Sequence, residues 1–406
     1  MQEVLIVGGG IGGLTLALEL HRKAIACRVF EAAPQIKTLG VGVNLLPHAT
    51  KVLIGLGLEA ALSRVAIETA ESVFFNRFGQ LIYREPLGRR AGYEWPQFSI
   101  HRGDLQAALI DECEKRLGKD RLHLGRHCIG FAEHADGIVL KFEDGDEAQG
   151  EVAIGCDGIH SVIRRQLYPA EGEPLYSGVN MWRGTTRWKP TLTGASMIRA
   201  GWLATGKLVF YPIRDNVDHE GRQLVNWSWE IETPDFERWD WNRPARVEDF
   251  IADAGDWRFD WLDVPALFRA ADVVLEYPMV DQDPLPAWSF GRVTLLGDAA
   301  HPMYPRGSNG AGQAILDAHS LASCMNENPD PKIALKAYES KRLLPTSNVV
   351  LENRRNPPDA ILREVYERTG DTPFESIDSV ISAQELAALS ERYKQVAGYD
   401  KRSLQR

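Results

Sequence analysis

The stretch "VLIVGGGIGGLTLALEL", residues 4–20, constrains this chain more than any other part of it. A run of four apolar residues, 4–7, suits a short strand covered on both faces. Gly8, Gly10 and Gly13 follow in the spacing G-x-G-x-x-G, and a helical apolar pattern continues behind them. "CRVFEAA", 27–33, then reads as a second strand ending in Glu31. Each part has a physical task. Gly8 permits the tight turn, Gly10 lets backbone amides approach a pyrophosphate, and Gly13 lets helix and strand pack closely. The helix start, with Ile11 and Gly12, brings free N–H groups and partial positive charge. Glu31, with Ala32 beside it, is placed to accept hydrogen bonds from an adenosine ribose. An acid there favours a free 2′-hydroxyl, hence FAD or NAD over NADP, and does not separate FAD from NAD.

The rest of the composition narrows the setting. The chain has 406 residues, long enough for two associated domains. Its net charge of −10 argues against a nucleic-acid or anionic-membrane surface. The basic pairs Arg89-Arg90 and Arg164-Arg165 stand isolated and read as solvated surface. Five dispersed cysteines (Cys27, Cys113, Cys128, Cys156 and Cys324) give neither a disulfide framework nor a metal-ligand spacing, so no metal and a cytoplasmic location are expected. The opening segment lacks a basic leader and is broken by glycines, so neither export nor membrane spanning is expected.

Three more segments carry turn and helix signals. "LGVGVNLLPHA", 39–49, is a glycine-punctuated loop entering a helical pattern and includes Val43. "SIHRGDLQAALIDECEKRL" places Arg102 and Asp104 before a helix, where Asp104 reads most simply as an N-cap. "VAIGCDGIHSVIRRQL" is a strand, a turn at Asp157-Gly158 and a helix. A fourth segment, "LLGDAAHPMYPRGSNGAGQ", sets Asp298 at a strand end before two stiffening prolines and a glycine cluster that opens a helix.

Together, G-x-G-x-x-G, "HRGDL", "GCDGIHSVIR" and "LLGDAAHPMYP" resemble the class A flavoprotein aromatic monooxygenases, the family of para-hydroxybenzoate and salicylate hydroxylases. The match runs to about residue 345. "LGVGVNLLP", "PQFSIHRGDLQ", "MWRGTT", "LVNW" and "YPMVDQDPLPAW" carry a more specific resemblance to its phenazine-carboxylate branch. The resemblance implies FAD in the first site, with Glu31 on the adenosine ribose and Arg102 beside the ribityl-pyrophosphate. Cys128 would border the adenine, and Asp157 the pyrophosphate and the path of NADH or NADPH, a transient reductant. Asp298 would hold a ribitol hydroxyl, and Gly310 and Ala311 would bring amides to the pyrimidine edge of the flavin ring, so that the two glycine clusters grip one FAD. His301 would support the turn.

The same resemblance implies an α/β fold: a Rossmann-like FAD-binding domain, an inserted antiparallel-sheet substrate domain and C-terminal helices. The expected division is 1–75, 98–177 and 286–330 for the FAD domain, 76–97 and 178–285 for the sheet, and 331–406 for the helical end. The polar–apolar alternation and tryptophans of 178–282 independently read as an antiparallel sheet with one covered face. Trp182, Tyr211, Tyr304 and Pro305 are expected to line the substrate pocket. The C-terminal segment, stopped at "RRNPPDA", would cover this domain or a partner subunit, which leaves a homodimer open.

The implied activity is NAD(P)H-consuming hydroxylation of a phenazine- or salicylate-like aromatic acid by dioxygen through a flavin C4a-hydroperoxide, with loss of carbon dioxide where the attacked carbon bears a carboxylate. No histidine among His48, His101, His160, His219 and His301 stands out as a base, so no catalytic residue is named. Three rivals remain. An NAD-dependent dehydrogenase leaves "HRGDL" and the downstream glycines unexplained. A flavin-dependent halogenase fits "WSWEI" only without its proline, since position 232 is Glu. A noncatalytic flavin-binding module is the third.

Overall fold

Val4–Val7 is buried at every residue and forms the middle of a six-stranded sheet. The computed structural model describes residues 3–35, 41–234 and 243–405; Leu39 and Gly40 of the expected loop, Met1, Gln2 and Arg406 lie outside them. The sheet runs Ser289–Phe290, Val293–Leu295, Val152–Gly155, Val4–Val7, Cys27–Glu31 and Leu122–Leu124. Its pairs are parallel, except the antiparallel edge hairpin of the first two strands. Strands drawn from positions near 4, 153 and 294 are therefore neighbours, and "RVTLL" returns to the N-terminal sheet. Helices Ile11–Arg22, Arg102–Leu117 and Gly310–Glu327 bury their apolar faces into one core with this sheet.

The eight-stranded second sheet has the order Arg243–Pro244, Ala271–Asp281, Leu175–Trp188, Gln223–Glu232, Gly206–Arg214, Ser196–Trp202, Glu71–Phe75 and Leu81–Pro86. All its pairs are antiparallel except Ser196–Trp202 with Glu71–Phe75. This corrects one expected boundary: Glu71–Phe75 belongs to the large sheet, not to the segment ending at residue 75. "ESVFF" is buried throughout, so its pattern carried no sign of which sheet it joins.

Alternation gives the large sheet two unlike faces. Trp182, Leu208, Phe210, Trp227 and Trp229 point to one side and pack with Phe250, Trp257 and Phe268. Trp227 and Trp229, two residues apart, share that face and are fully buried. Their rings need room in neighbouring strands, which Gly184 and Gly206 supply: a Cβ on either would collide with the Trp227 or Trp229 ring. Met181, Arg183, Arg199, Lys207, Tyr211 and Glu230 occupy the other face.

The C-terminal segment covers this chain itself. Helix Pro331–Arg355 ends before Pro357-Pro358, as the Pro-Pro stop predicted. Ile361, Leu362, Val365 and Leu386 then pack with Phe74 and Ile82 of the large sheet. Asp359 at the N-cap position of helix Ala360–Thr369 pairs with Arg199 and Lys207 from the charged face.

His48 lies buried in helix Pro47–Gly55, against Gly312 and 5.5 Å from the Tyr399 ring. Burial, with the charge of Arg342 adding to it, pushes its pKa down to about 4. The unfolded chain takes that proton at an ordinary value of about 6.5. The neutral side chain therefore contributes stability above that pH, which is lost as pH falls from about 6.5 towards 4. In His48→Asn the melting temperature should fall less steeply than in wild type over this window, as differential scanning fluorimetry at stepped pH would read.

Candidate cofactor and substrate site

The N-terminal turn is built by close approach. Gly8 has φ +108°, and a Cβ on it would strike the Cys156 carbonyl of the neighbouring strand end. A Cβ on Gly13 would strike the Gly8 carbonyl, so helix Ile11–Arg22 sits hard against the strand it follows. Gly10 is the N-cap and offers no side-chain acceptor, which leaves first-turn amides for a ligand. Glu31 accepts from the Gly9 and Ala33 N–H groups at 2.7 and 2.8 Å, one on each oxygen. A carboxylate oxygen has lone pairs to spare beyond one such bond.

The second glycine cluster delivers another uncapped helix. Gly310–Glu327 starts after Asn309 with no side-chain cap bond. It crosses the first helix closely: a Cβ on Gly12 would lie 3.3 Å from the Cβ of Ala314. Both helix starts open into one cleft of about 720 Å³, within the size range of small-molecule sites.

Among the expected cofactor residues, Gly8, Gly10, Ile11, Gly12, Glu31, Ala32, Val43, Arg102, Cys128, Asp157, Asp298, Gly310 and Ala311 line this cleft. Gly13 does not; it lies behind the turn, where its lack of a side chain serves packing. Asp298 is exposed to the cleft, and a Cβ on Gly310 would come within 3.7 Å of its carboxylate. Asp157 is engaged by the Ser161 hydroxyl at 2.5 Å and the Val162 N–H at 2.7 Å. Burial raises its pKa against the pull of these bonds.

Tyr211 and Pro305 line the cleft, while two expected pocket residues do not. Trp182 points to the far side of the large sheet and stacks on Phe250 at 5.1 Å between ring centres. Its strand neighbours Met181 and Arg183 face the cleft instead, as the two-residue period requires. Tyr304 turns away into an apolar cluster with Val179, Met181, Leu203 and Met279. Asp104 is not the N-cap: the His101 side chain accepts from the Gly103 N–H, and Asp104 pairs with Arg214 of the large sheet. His301 is tied at 2.5 Å to buried Asp317, which also holds Arg342 at 2.7 Å. Burial opposes ionisation of Asp317, but His301 and Arg342 hold its pKa below the usual carboxylate value.

Gln106 and Arg183 escaped the sequence reading. Gln106 donates to the Gly9 carbonyl at 2.8 Å from within a helix, where nothing in its spacing marks it. Arg183 donates to the Gly42 carbonyl at 3.1 Å. A cation beside Trp182 in the alternating strand "MWRGTT" was the available signal. Gly42 is itself wedged in place: its N–H donates to Asn226 at 2.7 Å, and a Cβ would lie 2.7 Å from the Tyr211 ring. Burial raises the Tyr211 pKa, so the phenol keeps its proton.

The FAD binding domain family matches residues 1–184 and 279–352. This chain belongs to that family. It is 41% identical over 364 residues to the phenazine 1,6-dicarboxylic acid hydroxylase of Lysobacter antibioticus, covering 87% of this chain and 89% of that one. It is 34% identical to the 3-amino-4-hydroxybenzoate 2-monooxygenase of Streptomyces cremeus, covering 87% and 86%. Among solved structures, a salicylate hydroxylase substrate complex matches with a TM-score of 0.75 and 26% identity, over 98% of this chain and 96% of that one. The chain is an FAD-dependent aromatic monooxygenase, and membership settles the choice between FAD and NAD that Glu31 left open. The residues present fit FAD: two uncapped helix starts suit its phosphates and flavin edge, and the carboxylates of Glu31 and Asp298 both reach the cleft.

Gly10 separates binding from folding. A Cβ there would meet nothing within 4 Å, because the position faces the cleft. Gly10→Ala in the monooxygenase should keep its melting temperature as apoprotein yet weaken FAD binding about tenfold or more, roughly 1.4 kcal/mol. Gly8→Ala should instead fail to give soluble folded protein. Flavin fluorescence titration and circular dichroism read the two outcomes.

Proposed function

We propose that this monooxygenase hydroxylates an aromatic or heteroaromatic acid of the phenazine or salicylate type, using dioxygen and NADH or NADPH. The observation that carries this reading is that the polar face of the large sheet, through Arg183 and Tyr211, closes over the cleft where both uncapped helices begin. An anionic, hydrogen-bonding substrate suits that face, and an apolar one would leave it unsatisfied. The relatives act, by their names, on a phenazine diacid and an aminohydroxybenzoate.

When bound, FAD supplies the activation of dioxygen. The protein's part is to bind, orient and exclude water. Gly10, Ile11 and Gly12 give amides to the pyrophosphate, and Glu31 holds the adenosine ribose with Ala32 alongside. Arg102 offsets phosphate charge. Val43 and Cys128 flank the cofactor. Asp157 fixes the turn along which the nicotinamide approaches. Asp298 takes a ribitol hydroxyl, and Gly310 and Ala311 present the helix start to the pyrimidine edge, where its dipole stabilises negative charge. Tyr211 and Pro305 shape the substrate side, with Tyr211 donating its retained proton. In this division, the parallel sheet and its helices form the FAD domain, 76–97 and 178–285 supply most of the substrate domain, and 331–406 covers both. A cytosolic setting agrees with five unpaired cysteines.

Purified protein should be yellow, and phenazine, salicylate, nicotinate and aminobenzoate acids should be screened for acceleration of its NAD(P)H oxidation. At least one should accelerate it about tenfold or more and yield a product carrying one added oxygen, with carbon dioxide scored alongside. If no acid in the panel changes the oxidation rate, the reading is wrong.

A further inference from the structure

Beyond the cofactor cleft, the charged face of the large sheet and the C-terminal segment enclose an inner cavity. It is lined by four cations, Arg183, Arg199, Lys207 and Arg306, and by two anions, Glu230 and Asp359. Lys207 and Asp359 are almost fully buried, and Arg199 and Glu230 nearly so. Charges in such a place are costly unless paired. Two cations are paired. Lys207 lies between Glu230, at 2.7 Å, and Asp359, and Arg199 meets Asp359 at 3.1 Å.

The other two have no such close partner, although the Arg306 charge reaches Asp359 and helps to hold its pKa down. Among the described residues neither Arg183 nor Arg306 has a carboxylate within ion-pair distance. Among the described residues, Arg183 donates to the Gly42 carbonyl and lies over the face of Tyr277 at 5.9 Å. Arg306 lies 5.7 Å from the Tyr304 ring, and its buried Nε has no hydrogen-bond partner. A buried guanidinium donor left unmet is expensive and awaits an acceptor. The two differ in position. Arg183 lines both the cofactor cleft and the inner cavity, whereas Arg306 lines the inner cavity alone.

We propose that the inner cavity is an anion site for a second carboxylate of the substrate: Arg306 binds the acid group remote from the reacting ring, Arg183 offsets negative charge at the cleft boundary, and the enzyme thereby selects aromatic diacids over monoacids. A guanidinium suits this role because its planar fork can hold both oxygens of a carboxylate. The site rests on the proposed function, since it presumes an aromatic acid in the cleft.

The test is equilibrium binding to the FAD-loaded protein without reductant, followed by the change in flavin absorbance. Phenazine-1,6-dicarboxylate and phenazine-1-carboxylate serve as probes. Wild type should bind the diacid about tenfold more tightly or better. Arg306→Gln should abolish that preference by weakening the diacid alone, with flavin content and melting temperature retained, and Arg306→Lys should restore part of it. Equal binding of the two acids by wild type, or an intact preference in Arg306→Gln, overturns the anion site while leaving the proposed function in place. A wild type that binds neither acid overturns the anion site, and the proposed function falls with it only if no acid of the wider panel accelerates NAD(P)H oxidation.

Discussion

The rest of the structure depends on the contact of Gly8 with the end of strand Val152–Gly155. At φ +108° the Gly8 backbone runs so close to the Cys156 carbonyl that no side chain fits between them. Gly13 then presses against Gly8, which fixes where the first helix leaves the sheet. That helix in turn receives Gly310–Glu327 against Gly12, so the position of the second uncapped helix end follows from the first. The cleft is the space these backbones leave. Its donors at the two helix starts are amides, whose placement is set by chain geometry and not by flexible side chains.

The large sheet inverts a familiar arrangement. Its face away from the cleft is the apolar one, filled by Trp227, Trp229, Phe250 and Phe268 and built without reference to ligand. Its inward face, also covered, carries charge. Covering a charged face is unfavourable for folding, and the Asp359 contribution from the C-terminal segment offsets part of it. The C-terminal segment therefore does more than shield apolar surface at Phe74 and Ile82: it supplies the counter-charge that lets Arg199 and Lys207 be buried.

What was legible in the sequence was local. The glycine spacing, the buried strand "VLIV", the Pro-Pro stop and the alternation of the middle strands each state their own structure within about ten residues. Most expected cofactor residues lie in such segments, and they line one cleft. What was not legible was pairing across the chain. "ESVFF" announces a buried strand and not its sheet. Alternation showed that Trp182 and Arg183 face opposite ways, but with both faces covered it could not say which looks onto the cleft. Asp104 reads as a cap in its own segment, and only the fold brings Arg214 to it. Arg199 and Asp359, 160 residues apart, leave no trace of their meeting in either neighbourhood.

The order of the six-stranded sheet has a consequence for how the protein is made. Strand Val152–Gly155 waits for Val293–Leu295 as its second neighbour, and the helix that completes the cleft follows only after that. Contacts of such long sequence separation close late, because the entropy of the intervening loop must be overcome first. On the ribosome, the glycine turn emerges early and remains half a site until nearly three hundred further residues have followed. Until then, Val152–Gly155 is an open parallel edge able to pair with the wrong strand. Capture of the flavin is thus a closing event of synthesis, and a nascent chain stalled in the middle sheet is the species most exposed to aggregation.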